Sequence, residues 1–142
     1  MYYHFKIHNG KDGMWAECLE LKGCITQSED GTIENLRKNM DQVLDLYLDE
    51  PRENVVFSLP DENLKGKNIE KVKVRPELAF AMYLKHERKK HNFSQNEMAK
   101  KLGFKSIWSY QRLETAKSKN PELKTLSKIK QLFPDFDMNY VF

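Results

Sequence analysis

Arg112 offers the most specific chemistry in the chain. A guanidinium presents parallel donors that match the O6 and N7 acceptors of guanine. It stands in SIWSYQRLE (106–114). The spacing there predicts a short helix with Ser106, Ile107, Trp108, Ser109 and Arg112 outward, and Tyr110 and Leu113 inward. Lys105, Lys117 and Lys119 flank it, and ammonium groups serve phosphates, which supply affinity without sequence information. Trp108 has two readings: contact with a sugar or a thymine methyl, or burial between helices. Arg112 has a plainer alternative as a solvated or ion-paired arginine.

Catalytic chemistry is harder to assemble. There is no G-x-S-x-G, no phosphate loop and no Ser/His/Asp spacing. A metal-dependent nuclease needs several inward carboxylates, with at least one on a first strand. The first strand here, YYHFKIH, carries none, and Glu17 and Glu20 fall on opposite faces of the second by period-2 counting. Cys18 and Cys24 do not form C-x-x-C, and His4, His8, His86 and His91 offer no ligand spacing, so two reduced structural thiols are expected. The expectation is a protein that is not an enzyme and holds neither metal nor cofactor.

The elements that position these residues follow from periodicity. YYHFKIH (2–8) alternates, with Tyr3, Phe5 and Ile7 on one face. NGKDG (9–13) is a hairpin turn, MWAECLEL (14–21) a second strand and CITQ (24–27) a third. Trp15 on the second strand suits the core. Thr32 then caps a helix whose apolar stripe runs Ile33, Leu36, Met40, Val43, Leu44, Tyr47 and Leu48, and Pro51 ends it. VVF (55–57) has the makings of a short strand, and IEKVKV (69–74) alternates as the last one.

From Pro76 onward the pattern turns helical. Leu78, Phe80, Ala81 and Leu84 place a first helix running to about His91, and its charge run KHERKKH (85–91) reads as a solvated face. Ser94-Gln95-Asn96-Glu97 is a capping box for a short helix that buries Met98, Ala99 and Leu102. Gly103 ends that helix in the left-handed conformation. Asn120-Pro121-Glu122 starts a last helix with Leu123, Leu126, Ile129 and Leu132, which Pro134 ends.

Charge divides along the same line. The 142 residues carry a net +3. Residues 1–70 hold 8 Lys/Arg and 14 Asp/Glu, and residues 71–142 hold 16 and 7, so −6 faces +9. Such asymmetry points to nucleic-acid contact by the basic half and a different, basic partner for the acidic half. No apolar run approaches the roughly 18 residues of a membrane span. The start, MYYHFKIHNG, lacks the apolar region of a secretory signal. A cytoplasmic protein is expected.

A capped short helix, a turn with glycine and a second short helix form a helix-turn-helix signature, whose second helix enters the major groove. The string from Gln95 through Ala99 and Gly103 to Leu113-Glu114, with the closing NPELKTLSKI, resembles the phage-repressor-type helix-turn-helix family over 78–133. That resemblance implies a phosphate contact for Gln95. Ahead of it, YYHFKI, then WAECLELKGCITQ, then DGTIENL resemble the HicB antitoxin family, in its branch with a C-terminal helix-turn-helix. The fold implied is α+β: a β-β-β-α-β partial ribonuclease-H-like domain over 1–75, then an all-α helix-turn-helix domain over 76–142. The function implied is an antitoxin that occludes a HicA-type RNA-cleaving toxin and, as a homodimer or tetramer, binds operator double-stranded DNA to repress its own operon. Trp15, Glu17 and the strand edges are the candidate toxin contacts. The alternative is a one-component transcriptional regulator whose N-terminal domain senses a ligand.

Overall fold

The computed structural model describes residues 1–49, 55–117 and 120–142. Among these the chain divides into two compact units. One holds 1–49 and 57–75, the other 55–56 and 76–142.

The first unit is a four-stranded antiparallel sheet with one helix. β1 (Tyr2–Gly10) and β2 (Gly13–Cys18) form a hairpin, followed by β3 (Ile25–Gln27), α1 (Ile33–Asp49) and β4 (Ile69–Lys73). The order across the sheet is β3-β2-β1-β4. Alternation puts Tyr3, Phe5 and Ile7 of β1 on one face with Ala16 and Cys18 of β2 and Val72 of β4, all buried. α1 covers this side with Leu36, Met40, Leu44 and Leu48. Burying those four side chains is worth about 6–12 kcal/mol before ordering entropy. Thr32 Oγ1 accepts from the Asn35 N–H at 3.2 Å and so caps the helix. Pro51 lies outside the described residues.

Three details differ from expectation. β2 stops at Cys18 rather than Leu21, because the Glu20 side chain takes the ladder position beyond it. Its Oε2 accepts from the His4 N–H at 3.0 Å, and its Oε1 sits 2.6 Å from His4 Nδ1. Trp15 is not in the core: the register sets it on the uncovered face, half-buried and stacked on His8 with centroids 4.1 Å apart. Residues 55–57 form no strand, and Val55 and Val56 associate with the second unit, where Lys85 Nζ donates to Val55 O at 2.8 Å. Cys18 and Cys24 are free and buried. A hydrogen bond to Cys24 and burial push the Cys18 thiol up.

The second unit is all-helical: α2 (Pro76–Lys90), α3 (Gln95–Lys101), α4 (Ile107–Gln111) with a 3-10 turn at Arg112–Glu114, α5 (Leu123–Leu132) and α6 (Met138–Val141). Leu84, Met98, Tyr110, Ile129, Phe133 and Phe136 are its largest fully buried side chains. α5 starts at Leu123, not at Pro121, and Leu123 is 84% exposed, so it lies off the apolar stripe. Instead Phe133, Phe136 and Val141 close the core from beyond Leu132. Among the described residues no helix is long and apolar enough to cross a membrane.

Candidate nucleic-acid interface

α3 and α4 have seven and five residues. Isolated helices below about 12–15 residues are marginal in water. Caps and tertiary contacts must hold them, and both are present. Ser94 Oγ accepts from the Glu97 N–H at 3.0 Å, and Glu97 Oε2 accepts from the Ser94 N–H at 2.7 Å. The hydrogen bond from the Ser94 N–H holds the Glu97 carboxyl below its usual range. At the other end Gly103 has φ +76°. Phe104 N–H donates to Ala99 O at 2.8 Å and Gly103 N–H to Lys100 O at 3.1 Å, a Schellman closure. Lys128 Nζ donates to Leu102 O at 3.0 Å, placing a cation at the helix C-terminus. Ser106 then caps α4, its Oγ accepting from the Ser109 N–H at 3.3 Å and lying 3.0 Å from Ser109 Oγ.

A buried polar knot locks this turn. The Glu114 carboxylate accepts from Arg88 Nε at 2.5 Å and Nη2 at 3.0 Å, from Tyr110 Oη at 2.5 Å, and from Gln95 Nε2 at 3.0 Å. Arg88 Nη1 also donates to Phe93 O at 2.9 Å. The Arg88 and Glu114 side chains are 5% and 2% exposed. Burial and the adjacent carboxylate push the Tyr110 phenol up, so it stays protonated and donates. One group thereby ties α2, α3, α4 and the 3-10 turn together. The 85–91 run is therefore not a solvated face throughout: Glu87 and Arg88 are buried. Leu84 and Arg88 are four residues apart, so the helical period already turned Arg88 inward.

The outward side of α4 carries the candidate reading groups. Ser106, Ile107, Trp108 and Arg112 are exposed and Ser109 is half-buried. Trp108 is 62% exposed, which disposes of burial between helices. The Arg112 guanidinium lies 5.0 Å from the centre of its indole ring, a cation–π contact that pre-orders both. Lys105 and Lys117 are exposed on either side, and Lys119 lies outside the described residues. Gln95 is half-buried at the start of α3. Its Oε1 accepts from Gln111 Nε2 at 3.0 Å while its Nε2 binds Glu114, so it couples the two helices. Trp15 and Glu17 sit elsewhere, on the open sheet face of the first unit, where Glu17 Oε2 lies 3.7 Å from His8 Nε2.

A short capped helix, a glycine turn and a second short helix presenting an arginine, an indole and hydroxyls outward define a DNA-binding helix-turn-helix. The helix-turn-helix family model matches residues 84–134, which span α3, the turn, α4 and α5. No curated protein matches the chain. Residues 84–134 are thus similar to a helix-turn-helix, which supports DNA binding of the kind used in transcription regulation.

Proposed function

We propose that this chain is an antitoxin of the HicB type that also represses its own operon. Its sheet unit, of ribonuclease-H-like kinship, binds a small basic HicA-type toxin and covers the toxin's RNA-cleaving surface. Its helical unit, brought together as a dimer or tetramer, binds operator DNA in the cytoplasm. The chain contributes occlusion and DNA reading, with no catalytic step or cofactor of its own. The carrying observation is the pairing of an acid-rich β-β-β-α-β unit with a helix-turn-helix in one chain.

Charge indicates where a basic toxin fits. Glu34, Asp41, Asp45 and Asp49 recur along one side of α1, at spacings of seven, four and four residues. Arg75 compensates Asp45 and Asp49, at 3.4 and 2.8 Å. Partial burial and the charge of Asp45 push the Asp41 carboxyl up, so an arriving cation stabilises its ionised form. Trp15 and Glu17 are the other candidates, but they stand among lysines.

Co-expression with the product of the adjacent gene tests the proposal. A basic protein of under about 100 residues is expected to co-purify, and the complex to shift promoter DNA. Replacing Glu34 and Asp41 by lysine is expected to weaken toxin binding about tenfold or more while leaving DNA affinity intact. Absence of any small partner overturns the antitoxin reading. A small ligand that alters operator affinity without a protein partner would establish the sensor alternative.

A further inference from the structure

The uncovered face of the sheet has a composition unlike the rest of its unit. By register the residues it carries include Lys6 and His8 from β1, Trp15 and Glu17 from β2, and Lys71 and Lys73 from β4. Lys6, Lys71 and Lys73 are exposed. Residues 1–75 hold 11 Lys/Arg and 14 Asp/Glu, yet here three lysines meet a single strand carboxylate, that of Glu17, which leans toward His8. Glu20, beyond the end of β2, is turned onto His4 and 7% exposed. The charge of this face is therefore opposite to that of its unit.

The same face carries aromatic rings at two places. Tyr2 is 42% exposed and Lys73 Nζ lies 6.0 Å from its ring centre. Trp15 is backed by the parallel ring of His8, with 16° between the planes. Beside Trp15 a shallow cleft of about 360 Å³ is lined by Ile25, Thr26 and Gln27 of the edge strand. Tyr2 and His8 are six residues apart on β1, about 20 Å. Lysines lie between the two ring sites and at one end.

We propose that this open sheet face is a binding platform for single-stranded nucleic acid. A flat antiparallel sheet with solvent-facing rings stacks unpaired bases, and lysines between the rings track the backbone. A base stacks in the cleft against Trp15, with the Gln27 amide within its reach. A second base stacks on Tyr2, Lys6 and Lys71 meet the phosphates between, and Lys73 meets one at the Tyr2 end. A duplex cannot use the rings, because its bases are already stacked on one another. The platform is separate from α4 and independent of the antitoxin reading, since it needs no toxin to operate.

The chain has two tryptophans, so full-length Trp108→Phe leaves Trp15 as the only indole reporter. Titration with a 12-nucleotide single-stranded RNA, and with DNA of the same sequence, is expected to quench Trp15 saturably; the two arms show whether the ribose matters. The triple variant Lys6→Gln/Lys71→Gln/Lys73→Gln in the same background is expected to bind about tenfold or more weakly. Its log–log salt slope is expected to fall by about 2, or roughly 0.7 for each phosphate that a lysine no longer neutralises. These lysines are exposed, and circular dichroism of the variant checks that the sheet persists. An unresponsive Trp15, or quenching that the triple variant leaves unchanged, overturns the proposal. So does an unresponsive Trp15 in a chain whose binding to a protein partner or to its own copy is abolished in the triple variant. That result assigns the face to a protein.

Discussion

Each unit pairs a buried carboxylate with a nitrogen group, Glu20 with His4 and Glu114 with Arg88, and the two pairings do different jobs. In the sheet unit Glu20 meets His4 at the end of β2, with side chains 7% and 2% exposed. It finishes a ladder that β1, β2 and β4 have already built from backbone bonds. In the helical unit Glu114 meets Arg88 in a bidentate pair that also gathers Tyr110 and Gln95. There the carboxylate joins helices too short to persist alone. A sheet gains its order from neighbouring strands, whereas a helix-turn-helix of seven- and five-residue helices gains it from side chains that cross between them. Polar burial is an accessory in one and a keystone in the other.

The strongest test of that contrast is to remove each carboxylate in turn. Glu114→Ala leaves the Arg88 charge buried and unpaired and is expected to cost about 3–5 kcal/mol. Glu20→Ala leaves the His4 N–H and ring without a partner and is expected to cost about 1–3 kcal/mol. Denaturant unfolding followed at Trp108 in a Trp15→Phe background reads the first, and at Trp15 in a Trp108→Phe background the second. Equal costs would break the contrast.

Next in size is the reading side of α4. Arg112→Ala is expected to weaken operator binding by about 1–3 kcal/mol and to relax preference at one base pair, as measured by binding to a panel of single-substituted duplexes. A uniform loss across the panel makes Arg112 a phosphate contact instead. Ser94→Ala removes the oxygen that caps α3 and is expected to cost about 1 kcal/mol, visible in the Trp108-detected unfolding and absent from the Trp15-detected one.

The smallest effect belongs to the sheet unit's surface. Arg37 holds Glu70 through two bonds, of 2.9 and 2.7 Å, and lowers its carboxyl pKa. A lowered carboxylate pKa contributes stability that is present above the ordinary glutamate value of about 4.3 and lost as pH falls through the folded value. Both groups are substantially exposed, at 54% and 32%, so solvent screens the pair and its contribution is small and shrinks with salt. Arg37→Ala is expected to remove that increment in denaturant unfolding near neutral pH and to leave stability little changed once the pH is below the lowered folded value.

Much of the local architecture was legible beforehand. The alternation of Tyr3, Phe5 and Ile7 and the stripe through Leu36, Met40, Leu44 and Leu48 name their own buried faces. The Ser94–Glu97 box and Gly103 mark the ends of α3. These signals are local, because a cap or a period is complete within a few residues. Leu123 shows the limit of that reading. It continues the spacing of Leu126 and Ile129, but it lies exposed at the start of α5, while Phe133, Phe136 and Val141, beyond the end of α5, are buried. Trp15 shows another, since an aromatic on a strand suits either face until the register with His8 is known.

The sequence by itself determined most of the units' elements, the capped turn and the outward place of Arg112, because each follows from neighbours within one or two turns of chain, whereas the exposure of Trp108 was settled by the structure. Only the tertiary structure decided that Arg88 and Glu114, 26 residues apart, would meet and carry the turn. It also decided that lysines from β1 and β4 and rings from β1 and β2 would share one open face. Those pairings depend on which distant segments lie side by side, and that is set by packing the whole core rather than by any local pattern.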